Sequence, residues 1–215
     1  MRGLLQKDFY MLSEMKKMIL VILAIAFLLL IANSGSESFV VSYLIFVAAF
    51  LTLATITQDE HSKGVQFLMT LPVSRKNYVQ EKYLLGIVMG GGAWILAAAA
   101  SLAVTSLRGK SINEEFLAQC VIYLPILLLM LGLMLPIQFR FGGDKGRIAI
   151  MAAVAGGMLA CFLVLKIVDL SNLTGAKNFF ENYYRLIFVV ATLILLAGFW
   201  ISYRISLAIM NKKEF

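Results

Sequence analysis

The chain has 215 residues, of which 61% are apolar and 14% charged, with a formal net charge of +7 and a mean hydropathy of +0.88. Soluble domains usually contain about 45–50% apolar and about 25% charged residues, so this composition indicates an integral membrane protein. Each span needs about 20 apolar residues, which leaves room for about six spans and none for a separate soluble catalytic domain.

The N-terminal residues 2–16 predict an amphipathic helix lying in the membrane interface. Asp8 falls in the middle of its apolar face, where a charge costs free energy unless it is paired. Two interpretations stay open: Asp8 is hydrated at headgroup depth, or it contacts a partner such as a basic residue of segment 57–83. The apolar face carries Leu4, Leu5, Phe9, Met11, Leu12 and Met15.

Six apolar runs predict an all-α protein with six transmembrane helices. The third run contains Gly86 and Gly90, a spacing that lets helices approach closely in lipid. Ordinary helix packing and a moving or substrate-facing surface both fit this pattern. The fourth run contains Pro125 and Pro136, which are expected to bend it. The runs lie at about 18–32, 39–56, 84–106, 117–138, 148–165 and 185–203.

The positions of lysine and arginine predict the orientation, because these residues favour the cytoplasmic side. With the N-terminus inside, 14 of the 19 basic residues fall on cytoplasmic segments and 5 on outer ones. Both termini and segment 57–83 are therefore predicted to be cytoplasmic. The positive charge reflects this topology and anionic lipid, so no nucleic-acid partner is expected.

No group of residues typical of catalysis is apparent. Gly109-Lys110-Ser111 lacks the upstream glycine of a phosphate-binding loop, since Val104 occupies that position. His61 is the only histidine, which excludes a site built from several histidines. No charge falls in the middle of a predicted span, which argues against ion-coupled transport. We expect no catalytic, cofactor or metal residues here, so a partner must supply energy.

Segment 57–83 is the longest connection between two predicted spans that is too polar to lie inside a lipid bilayer. Thr57 and Glu60 form a capping box that predicts a new helix as the second span ends. Gly64 is a weak point in that helix, and Pro72 ends it. Ser74 predicts the cap of a further helix that continues into the third span.

The geometry that follows is a short helix lying across the membrane surface. Two interpretations stay open: an amphipathic hairpin resting on lipid, or a rigid element inserted into a groove of a cytoplasmic partner. An apolar edge surrounded by polar residues is expected, with Val65, Leu68 and Met69 on the edge and Asp59, Glu60, His61 and Lys63 around it.

The same segment carries a set of residues that supports the second interpretation, namely Asp59-Glu60, then Thr70-Leu71-Pro72-Val73-Ser74-Arg75, then Val79 and Lys82-Tyr83. This set resembles the signature of small type-2 permease subunits of bacterial ATP-binding-cassette exporters. The opening run resembles their N-terminal motif: Leu4-Leu5-Gln6-Lys7-Asp8-Phe9-Tyr10. In size and general character the chain is similar to permeases that export amphipathic cytolytic peptides of the phenol-soluble-modulin type or lantibiotics.

The resemblance implies a single permease domain, 1–215, in the bacterial cytoplasmic membrane. Two permease copies would form the pathway for an amphipathic or hydrophobic cargo, and separate ATPase subunits would bind ATP and Mg. Besides membrane lipids, the partners are therefore an ATPase and a second permease copy. The helix at about 58–69 would be the coupling helix. The expected ATPase contacts are Asp59, Glu60, His61, Lys63, Val65, Leu68 and Met69, with Lys7 and Asp8 as a possible second contact.

A runner-up hypothesis is a structural or assembly membrane protein whose cytoplasmic segment recruits a partner that is not an ATPase. A membrane-embedded enzyme acting on lipid is disfavoured because the catalytic residues are missing. Co-purification of an ATPase with a phosphate-binding loop would separate the first two hypotheses.

Overall fold

A computed structural model of the chain describes residues 2–32, 37–62, 64–70, 74–109, 114–167 and 174–213, and within them it contains helices and no strands. This confirms the prediction of an all-α protein. The helices are α1 (Arg2–Glu14), α2 (Lys16–Ala32), α3 (Glu37–His61), α4 (Gly64–Thr70), α5 (Arg75–Leu107), α6 (Glu114–Phe141), α7 (Gly143–Ile167) and α8 (Thr174–Lys212).

Several of these helices are suited to crossing a membrane. In the described part of the chain, α3, α5, most of α6 and the second half of α8 are long and apolar enough to do so. The pair α1 and α2 meets the same test together but bends by 69° between them. The chain is therefore a multi-pass membrane protein. Helices α2 and α7 contain the predicted spans at about 18–32 and 148–165, and the total of six spans stays a prediction.

The predicted N-terminal helix is present as α1, and it packs against the helix bundle. Leu4 and Leu12 lie one turn to either side of Asp8, and all three side chains are buried. Phe9 and Tyr10, in contrast, are 46% and 71% exposed. The face that includes Asp8 is therefore covered by protein, while the neighbouring face is left for lipid or a partner.

The predicted helix start at Thr57 is wrong. Helix α3 continues to His61, and the Thr57 hydroxyl donates to the carbonyl oxygen of Leu53, one turn earlier, at 3.1 Å. The break comes instead just before Gly64, where a Cβ would lie 3.2 Å from the carbonyl oxygen of Asp59. The chain turns tightly here, and a residue without a side chain fits the turn.

The other end of the segment agrees with the prediction. The Ser74 hydroxyl accepts a hydrogen bond from the backbone N–H of Asn77 at 3.2 Å, as an N-cap does. Helix α5 then continues without interruption to Leu107. At about 1.5 Å per residue, its 33 residues are longer than the hydrocarbon core of a membrane. The first turns of α5 therefore extend beyond the lipid.

Close packing joins α5 to α6. A Cβ at Gly86 would lie 2.9 Å from a methyl group of Leu131, and one at Gly90 only 2.5 Å from Leu127. This supports the packing interpretation of the two glycines. Nearer the far end of α5, the indole N–H of Trp94 donates to the carbonyl oxygen of Cys120 in α6 at 2.9 Å.

Candidate functional site

A cluster of charged side chains lies buried where α1, α3 and α5 meet. The ammonium group of Lys82 donates a hydrogen bond to the carboxylate of Asp8. It also lies 3.0 Å from Asp59 Oδ2 and 3.1 Å from the hydroxyl of Thr55. Asp8 and Lys82 have no exposed side-chain surface. The interpretation that Asp8 pairs with a basic residue of segment 57–83 is therefore confirmed.

Lys7 extends this cluster toward the surface. Its ammonium group donates to Asp59 and lies 3.2 Å from Asp8 Oδ1, with 31% of its side chain exposed. The Tyr78 hydroxyl donates to Asp59 Oδ2 at 3.1 Å. Asp59 is thus held by three donors from two other helices, and these contacts connect the end of α3 to α1 and α5.

Glu81 adds a third carboxyl group to the cluster. It is buried, and one of its oxygens lies 3.8 Å from the ammonium group of Lys82. Within the described residues, no amide, hydroxyl or ammonium group donates a hydrogen bond to either oxygen, and the hydrogen-bonding neighbour of Glu81 is the carboxyl group of Asp8. Two lysines therefore face three carboxyl groups, and Glu81 is the most weakly paired of them. We call Lys7, Asp8, Asp59, Glu81 and Lys82 the buried charge cluster.

Glu60 ties the end of α3 to the opposite side of the bundle. Its carboxylate accepts a hydrogen bond from the backbone N–H of Gly143, the first residue of α7, and another from Lys213 Nζ at 2.7 Å. The helix dipole favours a negative charge at that position. Gly142 has a φ of +67°, and a Cβ there would lie 2.6 Å from Glu60 Oε2. A glycine is therefore required at this turn.

The end of α8 contacts the segment from a second direction. The guanidinium group of Arg75 donates to the carbonyl oxygens of Met210 and Asn211 at 3.3 and 2.6 Å. About two turns further along α5, the Tyr83 hydroxyl lies 2.7 Å from that of Ser202 and 2.8 Å from that of Ser206. Both flanks of α4 are therefore connected to the transmembrane helices by polar contacts.

The predicted contact residues separate into an inner and an outer group. Asp59, Val65 and Leu68 are buried, whereas His61 is exposed and lies 3.6 Å from Asp144. Lys63 and the side chain of Met69 lie outside the described residues, so their positions stay predictions. The docking role of all the predicted contact residues also stays a prediction.

Sequence reasoning missed the outer face of α4. Phe67 is 66% exposed, and Gln66 and Thr70 are exposed beside it. Aromatic residues, phenylalanine among them, are enriched in protein interfaces relative to the rest of the surface. The sequence signal was present, since Phe67 is the only aromatic residue of α4. Its direction, however, depends on how α4 is folded back.

An open cleft of about 510 Å³ lies next to α4. It lies between α4, the α6–α7 turn and the end of α8, and charges of both signs line it. Within the described residues, no group of acidic, histidine or cysteine side chains is arranged to bind a metal ion. The residues around the cleft include Glu60, Gln66, Phe141, Asp144, Lys145 and Lys213.

A family model described as "ABC-2 family transporter protein" matches residues 3–211. No curated protein and no solved structure matches the chain at a significant level. The matched region contains the buried charge cluster, α4 and every residue that lines the cleft beside it except Lys213.

Proposed function

This chain belongs to the ABC-2 family of transporter proteins, and we propose that it is the permease subunit of an ATP-driven exporter with α4 as its coupling helix. The family supplies the membrane subunit of ABC transporters and generally works with a cytoplasmic ATPase. We further propose that the ATPase docks on the exposed face of α4, that two permease copies form the pathway, and that the cargo is amphipathic or hydrophobic.

The observation that carries the proposal is the two-sided character of α4. Val65 and Leu68 pack into the protein core, while Phe67 projects outward with Gln66 and Thr70. A helix of seven residues is too short to be stable alone. It is stabilised by the core on one side, and the other side is available to a partner.

The polar contacts at both ends of α4 explain how movement would be transmitted. ATP can change the permease only through contacts that differ between its two states. If the ATPase displaces α4, Asp59 transmits the displacement to α1 and α5, and Glu60 transmits it to α7 and α8. A flexible linker would instead absorb the movement before it reached the spans.

The apolar character of the spans supports the proposed cargo class. The centres of the predicted spans carry no charge, so a pathway between them offers little to a hydrophilic ion. ATP and Mg would bind only to the partner ATPase, and the proposed orientation places α4 on the cytoplasmic side.

The experiment is a co-purification of the permease with its ATPase after Phe67→Ser. We expect the variant to lose most of the bound ATPase and the ATP-driven transport while its melting temperature stays that of the wild type. Phe39→Ser is the matched control, because Phe39 is 58% exposed at the other end of α3. It is expected to retain the ATPase.

Two results would contradict the proposal. One is wild-type ATPase binding and transport by Phe67→Ser. The other is an equal loss of ATPase in both variants, which would indicate a general effect of removing an exposed aromatic residue.

A further inference from the structure

A second cavity of about 480 Å³ lies between α2, α3 and α7, on the flank of the bundle. Its floor is formed by Leu51, Leu53 and Ile150, which are 8%, 2% and 3% exposed. Its walls are apolar and more exposed, and one charged residue, Arg147, lines it. The wall residues are Met18 and Ile22 from α2, Tyr43, Phe46, Val47, Phe50 and Ala54 from α3, and Met151 from α7.

The cavity has the form of a groove along α3. Its lining on that helix runs from Tyr43 to Ala54, which at 1.5 Å per residue is about 16 Å. The hydrocarbon core of a bilayer is about 30 Å thick, so the groove is about as long as one leaflet is deep. These dimensions suit an acyl chain that lies along α3.

Positive charge is concentrated at one end of the groove. Arg147 is near the start of α7, while Lys16 and Lys17 begin α2 directly before Met18. Within the described residues, none of these three side chains forms an ion pair, although Asp144 lies one turn before Arg147. Asp144 is instead close to His61. The three cations are therefore available to an anion from outside the chain.

We propose that this groove binds one anionic phospholipid, with its phosphate at Arg147 and an acyl chain along α3. The charged end lies on the same side of the bundle as the buried charge cluster, since Gly143 at the start of α7 contacts Glu60 in the last turn of α3. The headgroup would therefore be at the proposed cytoplasmic surface, where anionic lipids attract basic side chains. A cationic amphipathic peptide would place like charges together at Arg147, so an anionic lipid fits this end of the groove better.

The test measures lipid retained by the full-length permease in native mass spectrometry, with equimolar phosphatidylglycerol and phosphatidylcholine carrying identical acyl chains. We expect the wild type to retain one phosphatidylglycerol preferentially. Arg147→Ala should weaken that preference about five-fold, as expected for one basic residue at a lipid surface. Arg140→Ala is the matched control, because Arg140 is an exposed arginine at the end of α6 that does not line the groove.

A second pair of variants tests the acyl chain without changing the charge. Ala54→Phe fills the groove and should reduce retention of both lipids, whereas Ala152→Phe adds the same bulk on the exposed surface of α7 and should not. Equal retention of the two lipids by the wild type would overturn the proposal. So would an equal effect of Arg140→Ala and Arg147→Ala, or unchanged retention in Ala54→Phe. None of these readouts depends on ATPase docking, so they can fail or succeed independently of the coupling proposal.

Discussion

Replacing Lys82 by methionine tests the buried charge cluster directly, because methionine retains much of the side-chain volume and removes the charge. The Lys82 ammonium group is fully buried and contacts the carboxylates of Asp8 and Asp59. Removing one partner of a buried ion pair costs about 3–5 kcal/mol, since the remaining charge has neither water nor a counter-ion. Lys7 stays close to both Asp8 and Asp59, and Tyr78 still donates to Asp59, so we expect the loss to stay within that range.

The measurement is the melting temperature of the purified permease in detergent. For a domain of this size, about 1 kcal/mol shifts the melting temperature by about 2–4 °C, so Lys82→Met should lower it by about 6–20 °C. Lys76→Met is the matched control, because Lys76 is exposed on the same helix. Such a surface change is expected to stay within about 0.5 kcal/mol.

A double variant separates the ion pair from a general effect of altering the core. Asp8→Leu with Lys82→Met removes both charges, and apolar replacement of a complete buried pair is often neutral. We therefore expect the double variant to melt higher than the sum of the two single effects predicts. Our reasoning would be refuted by wild-type melting of Lys82→Met, or by strict additivity of the two changes.

Two further predictions follow from other contacts. Gly90→Ala should destabilise the protein by about 1 kcal/mol, the lower end for overpacking because the methyl groups of Leu127 can rotate. In Gly91→Ala the added methyl group meets open space, so this variant should be neutral or more stable by up to about 1 kcal/mol. Equal melting temperatures of Gly90→Ala and Gly91→Ala would contradict this pair of predictions. Replacing Asp59 and Glu60 together by lysine should leave the protein inserted but uncouple ATP hydrolysis from transport. It should also lower the melting temperature, because both side chains bind other helices; unchanged transport would disprove their role in coupling.

Some of the site could be predicted from the sequence because the relevant signals are local. A carboxylate on an apolar helix face needs water or a counter-ion, and a basic residue of segment 57–83 was one of the two interpretations that this left open for Asp8. Which basic residue it would be depends on how α5 runs alongside α3. Lys82 and Lys76 are both on α5, and only the packing of α1 shows that Lys82 faces inward. Ser74, in contrast, was predictable because its cap involves only the next three residues.

The capping-box prediction failed because a local pattern was overridden by tertiary packing. Thr57 can cap a helix only if the chain leaves the helix before it. Here Thr57 is buried, and its hydroxyl accepts a hydrogen bond from the side-chain amide of Gln138 in α6 at 3.1 Å. The helix therefore continues for four more residues, to His61. This extension brings Asp59 into contact with Lys82, which the sequence pattern could not indicate.

Which face of α4 is buried could not be predicted from the sequence, for a different reason. Its seven residues include apolar side chains on both faces, so periodicity does not distinguish the buried side from the exposed one. Val65 and Leu68 are directed inward by the break before Gly64, and Phe67 is left outside.

The indole of Trp94 offers an optical probe of the proposed movement. The chain has two tryptophans. Trp200 is 61% exposed on α8, whereas the Trp94 N–H is hydrogen-bonded across the α5–α6 interface. In a Trp200→Phe background, the tryptophan fluorescence of the permease would come from Trp94 alone. Because α5 also carries Lys82 and Tyr83, a shift in that emission on adding nucleotide and ATPase would report in real time whether the far half of α5 responds.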